Sequence, residues 1–261
     1  MFSVTSWIPV FTGMTYSVGI QSSQYVDIMV GNMKQWIKRI VITMMVLVFA
    51  TASTAIAQPS QGKHQVIVDA GHGGKDPGVK LTDKFNEKDI TLSIALMLKK
   101  ELDKSGNIHV LLTRSSDMDV SVSERMKTIS TSRSNVFIGI HVNAGYGKES
   151  SGYELYFPGF ASLTADQITS KEILTDMAKN KFLNDSVKLA QLIQRNLEGV
   201  FPRKSRGLRN APFVILEGLT IPAVVVEIGF ATNQEDKNKI MDEDVRSSIA
   251  RALSKSIREY F

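Results

Sequence analysis

Two of the chain's four histidines stand where buried strands should end. His72 follows His64–Ala70, whose Val66, Ile67 and Val68 are consecutive apolar β-branched residues, the mark of a strand covered on both faces. His141 ends a second such run, Val136–His141. Glu227 ends a third, where Ala223, Val224, Val225 and Val226 precede it. A fourth group, Glu87, falls in the first turn of a stretch with helical periodicity. Ligands of open α/β sheets bind beyond the carboxyl ends of the strands, so these four side chains are expected to gather at one edge. Two histidines and a carboxylate with a fourth position left open form a catalytic zinc site. Zinc there lowers the pKa of bound water to about 7 and polarises a carbonyl, and a further carboxylate serves as general base. The sequence supplies one glutamate for each task. Spacing does not say whether Glu87 or Glu227 is the ligand.

Each residue also has an ordinary reading. A lone histidine after a strand is commonly a loop residue, and Glu in a first helical turn is favoured by the helix dipole alone. Glu227 is harder to dismiss, because a carboxylate inside an apolar run is costly to bury unless it is paired or metal-associated. His64, beside a polar linker, and His109, at the start of an edge strand, read as structural. Gly71-His72-Gly73-Gly74 lacks the full glycine patterns of nucleotide loops, so no nucleotide is expected.

The elements that must hold these residues alternate between strand and helix. A helix is expected from about Glu87 to Lys104, with Ile90, Ile94, Met97, Leu98 and Leu102 on one stripe and Gly106 as a stop signal. His109–Thr113 reads as a second strand, and Ser121–Ser134 as a helix opened by a Ser121–Glu124 capping box. Gly152–Phe157 reads as a further strand. Ala161–Asn184 is polar with poor periodicity and reads as an inserted segment, followed by a clean amphipathic helix over Asp185–Leu197. Pro202–Pro212 reads as a basic loop carrying Arg203, Lys204, Arg206 and Arg209, and Phe213–Leu216 and Ala223–Glu227 as strands. Asp244–Phe261 closes the chain as a helix. Such alternation predicts an α/β fold, a mostly parallel or mixed sheet flanked by helices on both faces, in one domain.

Composition sets the outer bounds. At 261 residues, 43% hydrophobic and 22% charged, the chain has ordinary globular composition and enough length for a real core. The absence of cysteine excludes disulfides, thiolate zinc sites and cysteine nucleophiles. The net charge of +5 gives no reason to expect a nucleic-acid partner. Lys34, Lys38 and Arg39 precede the apolar run Ile40–Ala50, and Ala55-Ile56-Ala57 follows. This is the pattern of a secretory signal peptide, read over 33–57 with cleavage after Ala57. It predicts export to the periplasm or cell wall; the alternative is an uncleaved membrane anchor over 40–56. Residues 1–32 show no clear period and read as an over-extended start without regular structure. Residues 58–63 are a linker, and 64–261 the catalytic domain.

At the residues singled out above the chain resembles a known family, the zinc-dependent N-acetylmuramoyl-L-alanine amidases of the amidase-3 type. Val66–Gly78 resembles the family's opening signature, Asn86–Asp89 its short acidic motif, Phe137–Ala144 its second histidine motif and Pro222–Asn233 its late glutamate motif. The four occur in the family's order. The resemblance implies a six-stranded, mostly parallel sheet flanked by helices. It implies one zinc ion per chain on His72, Glu87 and His141, with Glu227 as general base and acid. The implied reaction is hydrolysis of the amide between N-acetylmuramic acid and the L-alanine of the peptidoglycan stem peptide. Asn143 and Arg209 are candidates to bind substrate. Some members of the family carry a helical plug here that an activator protein displaces; residues 161–184 read either as such a regulatory segment, with Glu172 as a candidate autoinhibitory ligand, or as a plain surface excursion. Two other readings use the same residues: a zinc peptidase acting within the stem peptide, and a non-catalytic peptidoglycan-binding domain.

Overall fold

A computed structural model describes residues 21–52, 64–159, 170–211 and 213–261. The chain divides into two units, Met1–Pro59 and Ser60–Phe261. The first contains helix α1, Gln21–Ala52. Residues 21–32, read from sequence as irregular, are therefore helical: no proline and only Gly31 interrupt this stretch, and one glycine is tolerated inside a helix. Residues 1–20 and 53–63, including the expected cleavage site, lie outside the described residues. Among the described residues no helix is long and apolar enough to cross a membrane.

The second unit is a six-stranded mixed sheet. Its strands are β1 (His64–Ala70), β2 (Ile108–Leu112), β3 (Val136–Asn143), β4 (Tyr153–Pro158), β5 (Ser205–Ala211) and β6 (Ala223–Phe230). They lie in the order β2-β1-β3-β6-β4-β5. β1 runs parallel to β2 and β3, and β3 parallel to β6. β4 is antiparallel to β6, and β5 runs parallel to β4. All eight residues of β6 are buried, which is why its sequence is a continuous apolar run rather than an alternating one.

Helices α2 (Glu87–Asp103), α4 (Ser170–Leu197) and α6 (Glu243–Tyr260) cover one face. There Val66, Val68, Ile138, Ile140, Val224 and Val226 pack against Ile94, Leu98, Ile193 and Leu253. The opposite face is smaller. Ile67, Phe137 and Val225 pack there on Ile129 of α3 (Val122–Thr131) and on Ile215 and Leu216 of a single 3-10 turn, Val214–Leu216. A short helix α5, Gln234–Met241, which sequence reading missed, is capped by Asn233 accepting from the Glu235 and Asp236 amides. Asp242 ends α5 and caps α6.

Three expectations need correction. The basic stretch expected to be a loop contains β5, an edge strand that among the described residues pairs only with β4. Its residues Ser-Arg-Gly-Leu-Arg-Asn-Ala carry neither alternation nor β-branched residues, so its pairing is imposed by the neighbouring strand. Phe213–Leu216, expected to be a strand, is the 3-10 turn; its apolar residues fill the space beneath α3. The expected insertion over 161–184 is not separate from the helix after it. From Ser170 onward it is the first half of α4, because no glycine or proline stops the helix before Asp185. Residues 160–169 lie outside the described residues.

Candidate active site

His72, Glu87 and His141 meet at the carboxyl ends of β1 and β3, where the chain leaves β1 in one direction and returns to its other side. Each offers one donor atom, and the three donors lie within 4.8 Å of one another. Glu87 Oε1 stands 3.1 Å from His72 Nε2 and 3.1 Å from His141 Nδ1. The Val142 amide donates to the same oxygen at 2.9 Å, and the Val79 amide to Oε2 at 3.0 Å. A carboxylate so held, at the first position of α2, cannot swing away.

The loop carrying His72 is tied from beneath. His72 itself has φ 62°, a left-handed conformation uncommon for a residue with a side chain. Two buried arginines capture the carbonyls around it. Arg114 donates to Ala70 O and Gly71 O at 2.9 Å each. Arg125 donates to Ala70 O and His72 O at 2.7 Å each, and pairs with buried Asp69. Asp76 accepts from His72 Nδ1 at 2.8 Å, which turns Nε2 toward Glu87. Such a carboxylate behind a histidine is the usual way to fix the ring of a metal ligand.

Two glycines make the space. A Cβ on Gly71 would lie 2.4–2.8 Å from the His141 ring. A Cβ on Gly78, at φ +62°, would lie 2.6 Å from Glu87 Oε2 and 2.7 Å from the His72 ring.

Glu227 is the register partner of His141 across β3 and β6, and of Glu154 across β6 and β4. Its Oε2 is buried with no hydrogen-bond partner among the described residues. Burial pushes its carboxyl up to about 7, against the opposing pull of His141. Glu87 behaves in the opposite way. Burial alone would raise it, yet the hydrogen bonds from both histidines hold it well below the usual carboxylate range. The same bond from Glu87, with Asp76 behind it, raises His72 to about 9. Burial would lower His141, but Glu87 and the charge of Glu227 carry it upward. One carboxylate is thus permanently ionised among the nitrogens, and the other is poised to gain and lose a proton near neutrality. Two nitrogens and one oxygen converging on a point suit a divalent ion with an open position, so the residues fit the expected metal.

Beside the two histidines opens a cavity of roughly 580 Å³, lined by Val120, Val122, Phe213, Val214 and Ile215 together with Asp69, Asp76 and Asp119. On the far side of Glu227 lies Glu154, 4% exposed. Asn143 Nδ2 and the Tyr156 hydroxyl each donate to its Oε2 at 2.7 Å. Arg206 Nε donates to Oε1 at 2.8 Å, and Arg209 Nη2 stands 3.5 Å from it.

A sequence profile of the Amidase_3 family, N-acetylmuramoyl-L-alanine amidase, matches residues 66–259. The chain belongs to this family. It is 25% identical over 218 residues to the N-acetylmuramoyl-L-alanine amidase AmiC of Escherichia coli O6:H1, a match covering 75% of this chain and 52% of that one. The chain thus spans about half the length of that relative. The catalytic domain of CwlV, an amidase from Bacillus (Paenibacillus) polymyxa, superposes with a TM-score of 0.62 at 28% identity, covering 76% of this chain and 97% of that one. The CwlD amidase from Clostridioides difficile, solved in complex with the GerS lipoprotein, gives 0.61 at 29% identity, covering 76% and 98%. The chain accordingly shares the α/β architecture of these relatives.

His72, Glu87, His141 and Glu227 lie together; Asn143 and Arg209 both reach Glu154, one strand further on. His109 lies on the edge strand β2, away from the site, and His64 stacks on Phe261 at 4.1 Å. Glu172 falls in the first turn of α4, and its side chain lies outside the described residues. Sequence reading missed Asp76, Arg114, Arg125 and Glu154. The argument that exposed Glu227, a carboxylate within a buried strand, applies equally to Glu154 in β4. The arginines carry no such signal, because they act on backbone carbonyls.

Proposed function

We propose that this chain hydrolyses the amide between N-acetylmuramic acid and the L-alanine of the peptidoglycan stem peptide, in wall turnover or daughter-cell separation. The observation that carries the reading is the meeting of His72, Glu87 and His141 beside the unpartnered, buried Glu227. His72, Glu87 and His141 would hold one zinc ion. When bound, the ion supplies Lewis acidity toward the lactyl carbonyl and activates the attacking water. Glu227 takes the proton of that water at Oε2 and delivers it to the departing amine of L-alanine. Burial suits it to both tasks, since a carboxyl near 7 gives and takes a proton at little cost. Glu87, ionised and held at both oxygens, orients the two histidine rings. The substrate chemistry is supported by the family membership and by the named relatives.

Residues 33–57 have the form of a signal peptide, so the reaction belongs outside the cytoplasmic membrane, in the periplasm or cell wall. Amino-terminal sequencing of the exported protein should begin at Gln58. Regulation by a partner is supported by a structural relative solved in complex with a lipoprotein. Deleting residues 161–184, the expected plug with its candidate ligand Glu172, should raise basal turnover; unchanged turnover would argue against such restraint.

The deciding experiment is mass spectrometry of products released from purified peptidoglycan by the zinc-loaded protein. Free peptides beginning at L-alanine, with peptide-free glycan strands, are expected. Cleavage within the stem peptide would instead support a peptidase.

A further inference from the structure

The charge around the site is asymmetric. The cavity beside the two histidines carries Asp69, Asp76 and Asp119, and its arginine, Arg125, is bound to Asp69 and to backbone carbonyls. An anion gains nothing there. The opposite flank is built differently. Glu227 and Glu154 are cross-strand partners, about 5 Å apart at the backbone, and Glu154 is about two strand spacings, near 10 Å, from His141. Glu154 is buried and its two oxygens accept from or pair with four groups: Asn143, Tyr156, Arg206 and Arg209. Two guanidinium groups therefore face one carboxylate, which leaves this cluster with an excess positive charge. Arg206 spends its Nε on Glu154 and lies 5.1 Å from the Phe230 ring centroid, so its terminal nitrogens are not consumed by Glu154. Arg209 is half exposed, and 3.5 Å leaves it only loosely engaged. A buried acid that holds two arginines by one edge presents their remaining donors as a prepared anion site. The other two bases of the segment are not part of it: Lys204 faces Glu235 at 3.6 Å, and Arg203 donates its amide to Glu198.

We infer that Arg206 and Arg209, held by Glu154, receive a free carboxylate on the peptide side of the scissile amide, so that the departing peptide lies over β4 and β5 and the glycan lies toward the cavity beside His72. This rests on the amidase reading and adds the orientation of the substrate and the group that is read. Glu154 is a positioning residue: it holds the arginines and touches no reacting atom.

The test uses two soluble muramoyl peptides that differ in one group, the residue after L-alanine bearing either a free carboxylate or a carboxamide. The zinc-loaded wild-type protein should favour the free acid by about 10- to 100-fold in kcat/KM, the range of a charge-assisted hydrogen bond. In Arg209→Gln the two values should converge, chiefly through a higher KM for the acid, and Arg209→Lys should restore part of the gap. Thermal melting of each variant separates this effect from loss of fold. Equal kcat/KM for both substrates in the wild type overturns the inference and leaves the amidase reading standing. An Arg209→Gln variant that weakens both substrates equally also overturns it. Hydrolysis of neither peptide overturns both readings together.

Discussion

At the scale of single residues, two glutamates of one site are driven to opposite states by their neighbours. Glu87 lies between two histidines that stabilise its charge, while Glu227 lies buried with one oxygen unpartnered. Their roles should separate cleanly on mutation. Glu227→Gln should keep bound metal, measured by elemental analysis, and lose about 10²–10⁴ in turnover, the usual worth of a general base. His72→Ala should lose the metal itself. The raised groups also set a pH dependence of stability. His72 rises from 6.5 to about 9 and Glu227 from 4.5 to about 7 on folding. A group raised in the folded state contributes fully below its unfolded value, and the contribution is lost as pH rises through the folded one. The chelated protein should therefore melt at progressively lower temperature between about pH 5 and pH 9. Zinc should reverse most of this loss, because deprotonated histidines are what it binds. A melting temperature that rises over the same interval would contradict the assignment. All four of these residues were legible in the sequence, since each is an ionisable group at the end of an apolar run or the start of a helix. Their supports, Asp76, Arg114 and Arg125, were not: a sequence does not reveal which backbone carbonyls an arginine will reach.

At the scale of elements, the site depends on a loop that two arginines from outside it help to shape. In the β1–α2 connection His72 at φ 62° is held by Arg114, Arg125 and Asp76, together with the backbone bridge between Gly73 and Asp76 that follows it. Gly71→Ala would drive a methyl group into the His141 ring, and zinc affinity by competition with a chromophoric chelator should fall about 10- to 100-fold, as for lost outer-shell support. Gly199→Ala, whose nearest neighbour would be 3.8 Å away, is the control and should leave affinity intact. Elements with strong periodicity, such as α2 and α6, were readable. β5 was not, because its arginines and glycine have no strand pattern and its conformation comes from pairing with β4. The 3-10 turn at Val214–Leu216 was misjudged for the opposite reason: a short apolar run looks like a strand whether it pairs or merely plugs a core.

At the scale of the whole molecule, the sheet is covered unequally. Among the described residues three helices shield one face, whereas the other packs on α3 and one short turn. Phe137 is fully buried on that thinner face. Phe137→Ala should cost about 3–5 kcal/mol in denaturant unfolding, as for other large cavities, with little room for repair by so few neighbours. The α/β class was legible because strand and helix patterns alternate. The continuity of α4 from Ser170 was not, since its first half lacks an apolar stripe to announce it. The arginine-tied loop is closed by the chain itself. Its carbonyls are satisfied by the chain's own guanidinium groups, so its shape does not wait for an ion. Domains that fold only around zinc lose their structure on chelation; this one should remain folded and merely go silent, then recover when the ion returns. Ion supply would then act as a reversible throttle on an already finished protein.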